Sequence, residues 1–424
     1  MNTAARTPRY EKTLIGILFF TWGTVFLDRM SQLYLAPYIA PEFHLTHAQV
    51  GMLASVLAIT WAMSTLVFGA LSDRFGRRVI LVPAVLAFSA LSWISGLARS
   101  FEQLLVIRAL MGIAEGPTWS IMTALIEESS PASRRGRNVG LVVSAAALVG
   151  LAVAPVLSTQ VAARWGWRWA FFVAGLPGIL MATLLWRFVK EPERRGGETG
   201  EARTTTLGGY LSLLKYRNMW LCSAAAAGFM SWLFLTNVFA PLYITEVAKQ
   251  EATTAGFLLG ASGLGSFFIG VAFPAWSDRM GRKPVLVLLA VMSCAIPLAL
   301  LVPGLYAHAW LLAGILFLMN SGQALASLIM VLVPTESVPP QYAATSIGLA
   351  TLVGEIFGAT CAPVLGGTFA EIYGLGITMW MAAGGSAMIL LAALFLKKTG
   401  GAAGEPAGGR LAVETMPHVA PDAA

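Results

Sequence analysis

Gly69-Ala-Leu-Ser-Asp73-Arg74-Phe-Gly76-Arg77-Arg78 is a polar stretch between two long apolar runs. It returns 205 residues later as Pro274-Ala-Trp-Ser-Asp278-Arg279-Met-Gly281-Arg282-Lys283. A second echo pairs Gly150-x4-Pro155 with Gly358-x4-Pro363. Between the copies lies Lys190-Glu-Pro-Glu-Arg-Arg-Gly-Gly-Glu-Thr-Gly-Glu-Ala-Arg203, whose polarity and glycine content read as a linker. The chain is therefore expected to be built of two like halves, 1–189 and 216–398, joined by a linker over 190–215. A tail over 399–424 follows.

Composition decides the solvent. Of 424 residues, 57% are hydrophobic and 12% charged, whereas soluble domains carry about 25% charged residues. Cutting at polar and Pro/Gly breaks leaves twelve apolar segments: 13–38, 48–71, 79–98, 102–125, 138–162, 168–189, 217–245, 254–277, 284–303, 308–333, 343–370 and 375–396. Each is long enough for a bilayer core of about 30 Å. None alternates as barrel strands do. The expected fold is an all-α polytopic membrane protein with twelve transmembrane helices in two six-helix bundles. The first segment follows Arg6, Arg9 and Lys12 but is too long for a signal h-region, so it is expected to be retained.

Charge orients the helices. With the N-terminus in the cytoplasm, 22 of the 28 Lys and Arg fall on cytoplasmic segments. This is the positive-inside pattern, with both termini cytoplasmic and the protein in the cell (inner or plasma) membrane. The net charge of +7 is thus topological, and no nucleic-acid partner is expected. Cys222, Cys294 and Cys361 lie in apolar segments without CxxC spacing, and four scattered His make no ligand set. No metal, disulfide or cofactor is expected. Triad, P-loop and HExxH spacings are missing, which argues against an enzyme. Repeated halves in a polytopic membrane protein instead point to a transporter with its site between the repeats near the midplane.

Five ionisable residues fall at depth: Asp28, Arg29, Arg108, Glu115 and Glu355. Each costs about 2.5–3.5 kcal/mol on the insertion scale, so each is a candidate for function. Arg108 and Glu115 are two turns apart and share a face. Asp28 and Arg29 point about 100° apart, so one faces the central cavity while the other meets a neighbouring helix. A guanidinium offers a planar fork of donors suited to a carboxylate and stays charged. A carboxylic acid can exchange a proton. Three acids against two arginines leave a formal charge of −1, and an anionic substrate would make it −2, which is unfavourable where water is scarce. Anion loading should therefore be coupled to proton uptake. The rival reading is a pair of static ion pairs, Arg108–Glu115 and Asp28–Arg29, locking the N-terminal half.

Asn320 is the repeat-equivalent of Glu115, with Gln323 expected on the same face at i+3 and Ser321 between them. Together with Asn237 they are candidates to bind substrate hydroxyls or a second carboxylate, interhelical hydrogen bonding being the alternative. Tyr34, Trp61 and Trp119 are candidate cavity walls. Pro117, Pro155 and Pro363 are expected bends.

The first repeated stretch, GxLxDRxGRR, resembles the signature of the major facilitator superfamily. It is carried here by Gly69, Asp73, Arg74, Gly76 and Arg77, and in the second copy by Asp278, Arg279, Gly281 and Arg282. Arg108-x-Leu-x-Gly-x-x-Glu115-Gly-Pro, the Asp28-Arg29 pair and Gly166-Trp-Arg168-Trp-Ala-Phe-Phe resemble the anion:cation symporter family within it. The resemblance implies a proton symporter for organic carboxylates such as sugar acids or aromatic acids, and the protein is expected to be a monomer. It implies that Arg29 binds the substrate carboxylate, that Asp28 and Glu115 take the proton, and that Arg108 tunes Glu115. It also implies that the repeated loop is a cytoplasmic latch of the outward-facing state. Pro274, where the signature has Gly, departs from the pattern and weakens the second latch. A proton-driven exporter of the same fold is the alternative; the fifth segment keeps only part of the GxxxGPxxGG pattern that exporters resemble. A ligand sensor that moves nothing is the third reading.

Overall fold

The computed structural model describes residues 8–191, 213, 215–339 and 342–397, without the side chains at 8, 66, 69, 70, 73, 132 and 344. The expected linker therefore lies largely outside the described residues, and the tail wholly so. The surroundings of Gly69 and the side chain of Asp73 are outside them as well.

Among the described residues, twelve helices are long and apolar enough to cross a membrane. They are α1 (Arg9–Tyr34), α2 (His47–Thr65), α3 (Arg77–Gly96), α4 (Phe101–Ser129), α5 (Ser133–Trp165) and α6 (Trp167–Phe188). The second half supplies α7 (Arg217–Val247), α8 (Ala252–Met280), α9 (Arg282–Leu300), α10 (Pro303–Glu336), α11 (Thr345–Tyr373) and α12 (Gly376–Phe395). Beyond Thr65 the helix of α2 runs on to Phe75. No strand occurs among the described residues.

The expected first segment ran to residue 38, but α1 stops at Tyr34 and a separate short helix, Ala36–Phe43, follows. Pro37 explains the break: it has no N–H to continue the α1 ladder and sits comfortably in the first turn of a new helix. The expected tenth segment is likewise divided, with Asn320 and Ser321 lying between Ala309–Met319 and Gly322–Ala326. Short polar side chains compete with the helical ladder there, and Asn320 Oδ1 accepts from the Gly322 N–H at 3.0 Å. Of the expected bends, Pro155 and Pro363 each follow a widened π-helical stretch, Ala146–Val153 and Gly354–Cys361. A proline without an N–H leaves the preceding turn free to widen. Pro117 sits inside an uninterrupted helix.

Large apolar side chains are exposed along the helices, while Asp28, Arg29, Arg108, Glu115 and Glu355 are buried. Trp165, Trp169, Trp310 and Trp380 are exposed towards one end, and Trp186, Trp220 and Trp276 towards the other. Such aromatic belts sit at the two interfaces of a bilayer.

The halves meet at the end that carries the Ala36–Phe43 helix. Gly51 of α2 lies against the Pro363 carbonyl of α11, and Gly263 of α8 lies against the Leu151 backbone of α5. A Cβ at either glycine would come closer than 3 Å to backbone atoms, so only glycine allows this approach. His47 Nε2 lies 3.2 Å from Glu246 Oε2, and the Ala48 N–H donates to Glu371 Oε1 at 3.0 Å. The Tyr34 hydroxyl donates to Asn237 Oδ1 at 2.8 Å, tying α1 to α7.

At the other end each half closes on itself. Arg77 Nη1 donates to Ser72 Oγ at 2.9 Å and its Nη2 lies 3.2 Å from Glu128. The second half repeats this arrangement: Arg282 Nη1 donates to Ser277 Oγ at 2.6 Å and its Nη2 meets Glu336 at 2.7 Å. Asp278 adds an ion pair to Arg282, while Arg279 is exposed and Arg74 lies over the Phe75 ring. Gly76 and Gly281 hold φ of +114° and +91°, the region that favours glycine, and so turn the chain between α2 and α3 and between α8 and α9. Glu191 accepts the Arg77 and Arg78 N–H groups, fastening the end of α6 to the first of these turns.

Candidate functional site

The site forms where α1 and α4 of one half face α7 and α11 of the other. The glycines of the fourth helix make it possible. Gly112 and Gly116 press α4 against Thr60 and Ser64 of α2. Ser64 donates to the Ile113 carbonyl at 2.6 Å and Thr65 to the Gly116 carbonyl at 3.0 Å. Arg108 and Glu115 leave this glycine face and turn inward.

All five ionisable residues at depth are buried: Asp28 and Glu115 are 0% exposed, Arg108 1%, Arg29 4% and Glu355 5%. They act on one another electrostatically: Glu115 feels Arg29, Asp28 and Arg108, and Glu355 feels Arg29. Yet none of the five is in a salt bridge within 4 Å among the described residues. Neither carboxylate oxygen of Asp28 or of Glu115 makes a well-formed hydrogen bond, and Glu355 Oε2 makes none. The static ion pairs that would have locked the N-terminal half are therefore not formed here.

Asp28 and Arg29 diverge as their helical spacing requires. Asp28 points towards Ser92 of α3 and Arg108 of α4. Arg108 donates through Nη2 to the Arg29 carbonyl at 3.1 Å and through Nη1 to Met111 Sδ at 3.2 Å, which fixes it against α1. Arg29 points the other way, into aromatic rings. Its Cζ lies 5.9 Å from the Phe26 centroid, 5.3 Å from Trp61 and 5.5 Å from Phe234, which belongs to the other half. Cation–π attraction of this kind contributes roughly 0.5–2 kcal/mol. It holds the guanidinium without occupying its donors, and Nε has no partner.

Glu355 lies in the π-helical stretch of α11, buried and near enough to Arg29 to feel its charge. Trp119 stacks on Trp22, with centroids 5.1 Å apart, and Trp22 on Phe26 at 5.0 Å. Tyr34 is buried and committed to Asn237, whose Nδ2 donates to the Leu233 carbonyl at 2.7 Å. Asn320 donates to Ser262 Oγ at 2.8 Å. The break in α10 removes the expected i+3 relation with Gln323, whose side chain packs on Gly270 of α8. The structure thus brings Trp61 and Glu355 to Arg29, sets Asp28 with Arg108 on the other side of α1, lets Glu115 feel both groups, and leaves Asn320 and Gln323 in contact with α8.

Phe26 and Phe234 were not singled out from the sequence, since an aromatic in an all-apolar helix carries no periodic signal. Glu42 was also missed. It accepts from Trp167 Nε1 at 2.6 Å and pairs with Arg168 at 2.7 Å, which accounts for the Gly166-Trp-Arg168 turn between α5 and α6. The hydrogen bond from Arg168 holds its carboxyl below the ordinary value of 4.5.

Comparison with known proteins agrees with this architecture. The chain is 29% identical over 363 residues to the probable 4-methylmuconolactone transporter of Cupriavidus pinatubonensis, spanning 84% of this chain and 83% of that one. It is 29% identical over 407 residues to the cis,cis-muconate transport protein of Acinetobacter baylyi, spanning 89% and 95%. A bacterial homologue of the human lysosomal transporter Spinster, crystallised inward-facing, superposes with a TM-score of 0.70 at 20% identity, covering 92% of this chain and 95% of that one. The family model described as Major Facilitator Superfamily matches residues 18–359. With twelve membrane-crossing helices around a buried charged centre, the chain belongs to the Major Facilitator Superfamily and is a multi-pass protein of the cell membrane.

Proposed function

We propose that the protein is a secondary active transporter that takes up an organic carboxylate by proton symport through alternating access. One observation carries this: a buried guanidinium at the junction of the two halves, ringed by aromatics, close enough to Glu115 and Glu355 to influence both and in a salt bridge with neither. A carboxylate placed on Arg29 gains a charge-assisted, bidentate partner. Its charge then raises the cost of ionised Glu115, Asp28 and Glu355 nearby, and a proton on one of them relieves that cost. The relatives named for muconate and 4-methylmuconolactone support an organic-acid substrate.

The excess of Lys and Arg at the Arg77 and Arg282 end supports placing that end in the cytoplasm. On that orientation the halves are closed outward, and the Arg77–Glu128 and Arg282–Glu336 pairs each lie within one half. The latch would form between the halves only in the opposite, outward-facing state.

Uptake of a labelled carboxylate into proteoliposomes tests the reading. An inside-alkaline gradient should drive accumulation that a protonophore collapses, and Arg29→Lys, which keeps the charge but loses the fork, should weaken binding sharply. Uptake indifferent to the gradient would remove the coupling, and unaltered affinity in Arg29→Lys would remove the anchor.

A further inference from the structure

We propose that the substrate is a planar, unsaturated carboxylate, aromatic or conjugated, and that Phe234 and Trp61 select it against polyhydroxylated sugar acids. The proposal rests on the reading of Arg29 as the carboxylate anchor and narrows what the anchor holds.

Two independent observations carry it. The first is what surrounds the guanidinium. Phe26, Trp61 and Phe234 each place a ring within 6 Å of Arg29 Cζ. The Phe26 ring continues into Trp22 and Trp119, with successive centroids 5.0 and 5.1 Å apart. A carboxylate held by Arg29 therefore has its carbon skeleton against ring faces. Flat π-systems gain offset or edge contacts from such walls. A ring of hydroxyls would lose its water against those ring faces and regain few hydrogen bonds, the Trp61 N–H being one free donor in the wall.

The second observation is that the three carboxamides expected from the sequence to meet hydroxyls, Asn237, Asn320 and Gln323, are engaged elsewhere. Asn237 receives the Tyr34 hydroxyl and spends its amide on the Leu233 carbonyl. Asn320 spends its amide on Ser262 and its oxygen on the Gly322 N–H. The Gln323 side chain lies on Gly270 of α8. A sugar acid would have to break bonds that hold the halves and the α10 break together, which makes each hydroxyl contact expensive.

Phe234 is the discriminating residue because it comes from the opposite half. It packs with Ala58 of α2 and Ala359 of α11, so the ring that touches the ligand also lies in the seam between the halves. Selection and closure then use the same side chain.

Isothermal titration of the purified full-length protein with four probes, benzoate, cis,cis-muconate, D-gluconate and D-glucuronate, tests the proposal. Benzoate or muconate should bind saturably and at least tenfold tighter than either sugar acid. Phe234→Leu, which keeps an apolar side chain and removes the ring, should weaken the unsaturated ligand about 3- to 10-fold while changing sugar-acid binding little. Should Phe234→Leu misfold, Trp61→Leu makes the same test from the other half. Gluconate or glucuronate binding as tightly as benzoate would overturn the selectivity while leaving the anchor role of Arg29 intact. Binding of none of the four would overturn both.

Discussion

The Tyr34 hydroxyl and Asn237 Oδ1 are 2.8 Å apart and 203 residues distant in sequence. Each comes from a different half, and each belongs to a helix that borders Arg29. This one bond therefore couples the central site to the closed end. Substrate that disturbs α1 or α7 disturbs the tie.

Tyr34→Phe removes the donor and leaves Asn237 Oδ1 without it. A net hydrogen bond contributes about 0.5–1.5 kcal/mol, so the population closed at this end should fall about two- to tenfold relative to the alternative state. Spin labels at Arg164→Cys and Glu251→Cys, both exposed at that end, read the change in a background with the three native cysteines replaced. An unchanged distance distribution would mean that the glycine contacts alone hold the end shut.

The two Arg–Ser–Glu clusters are alike in design and unequal in strength. Arg282 is nearly buried and meets Glu336 through Nε at 3.0 Å and Nη2 at 2.7 Å, whereas Arg77 reaches a more exposed Glu128 once, at 3.2 Å. Charge-assisted bonds contribute about 1.5–3 kcal/mol when shielded, and exposed pairs about 0–1. Glu336→Gln should therefore lower the melting temperature clearly more than Glu128→Gln, measured side by side in one detergent. Equal shifts would contradict the ranking.

Glu42 lies outside the membrane-crossing helices, and the Arg168 hydrogen bond holds its carboxyl below 4.5. A lowered value in the folded state contributes stability above the unfolded value and loses it as pH falls through the folded one. Stability should then decline below pH about 4.5, and Glu42→Gln should show a smaller decline over that window. Its exposure to solvent keeps the effect small. Thermal unfolding between pH 3 and 7 checks the sign.

Much of this molecule is legible in its sequence, because a bilayer leaves few choices. Apolar length alone located all twelve helices. The repeated loop matches the paired clusters at Arg77 and Arg282, and the seven-residue spacing put Arg108 and Glu115 on one face. What escaped is set by contacts that periodicity does not encode. The break after Met319 depends on Asn320 and Ser321 outcompeting the helical ladder, which a uniform apolar run concealed. The position of Phe234 over Arg29 depends on how α7 crosses α1, and an all-apolar helix does not announce which ring faces inward. Asn320 and Gln323 looked like a pair at i+3 only because the helix was taken as continuous. Glu42 falls between the expected first and second segments, 13–38 and 48–71, so its partnership with Arg168 had no visible address.

The coupling of carboxylate entry to proton entry is tested most directly by a pH dye outside proteoliposomes that are initially at equal pH on both faces. On addition of benzoate or cis,cis-muconate, the outer solution should become more alkaline as protons accompany the anion inward. Glu115→Gln should abolish that signal while retaining exchange of labelled for unlabelled substrate. Substrate entry in the unaltered protein with no accompanying pH change would contradict proton symport.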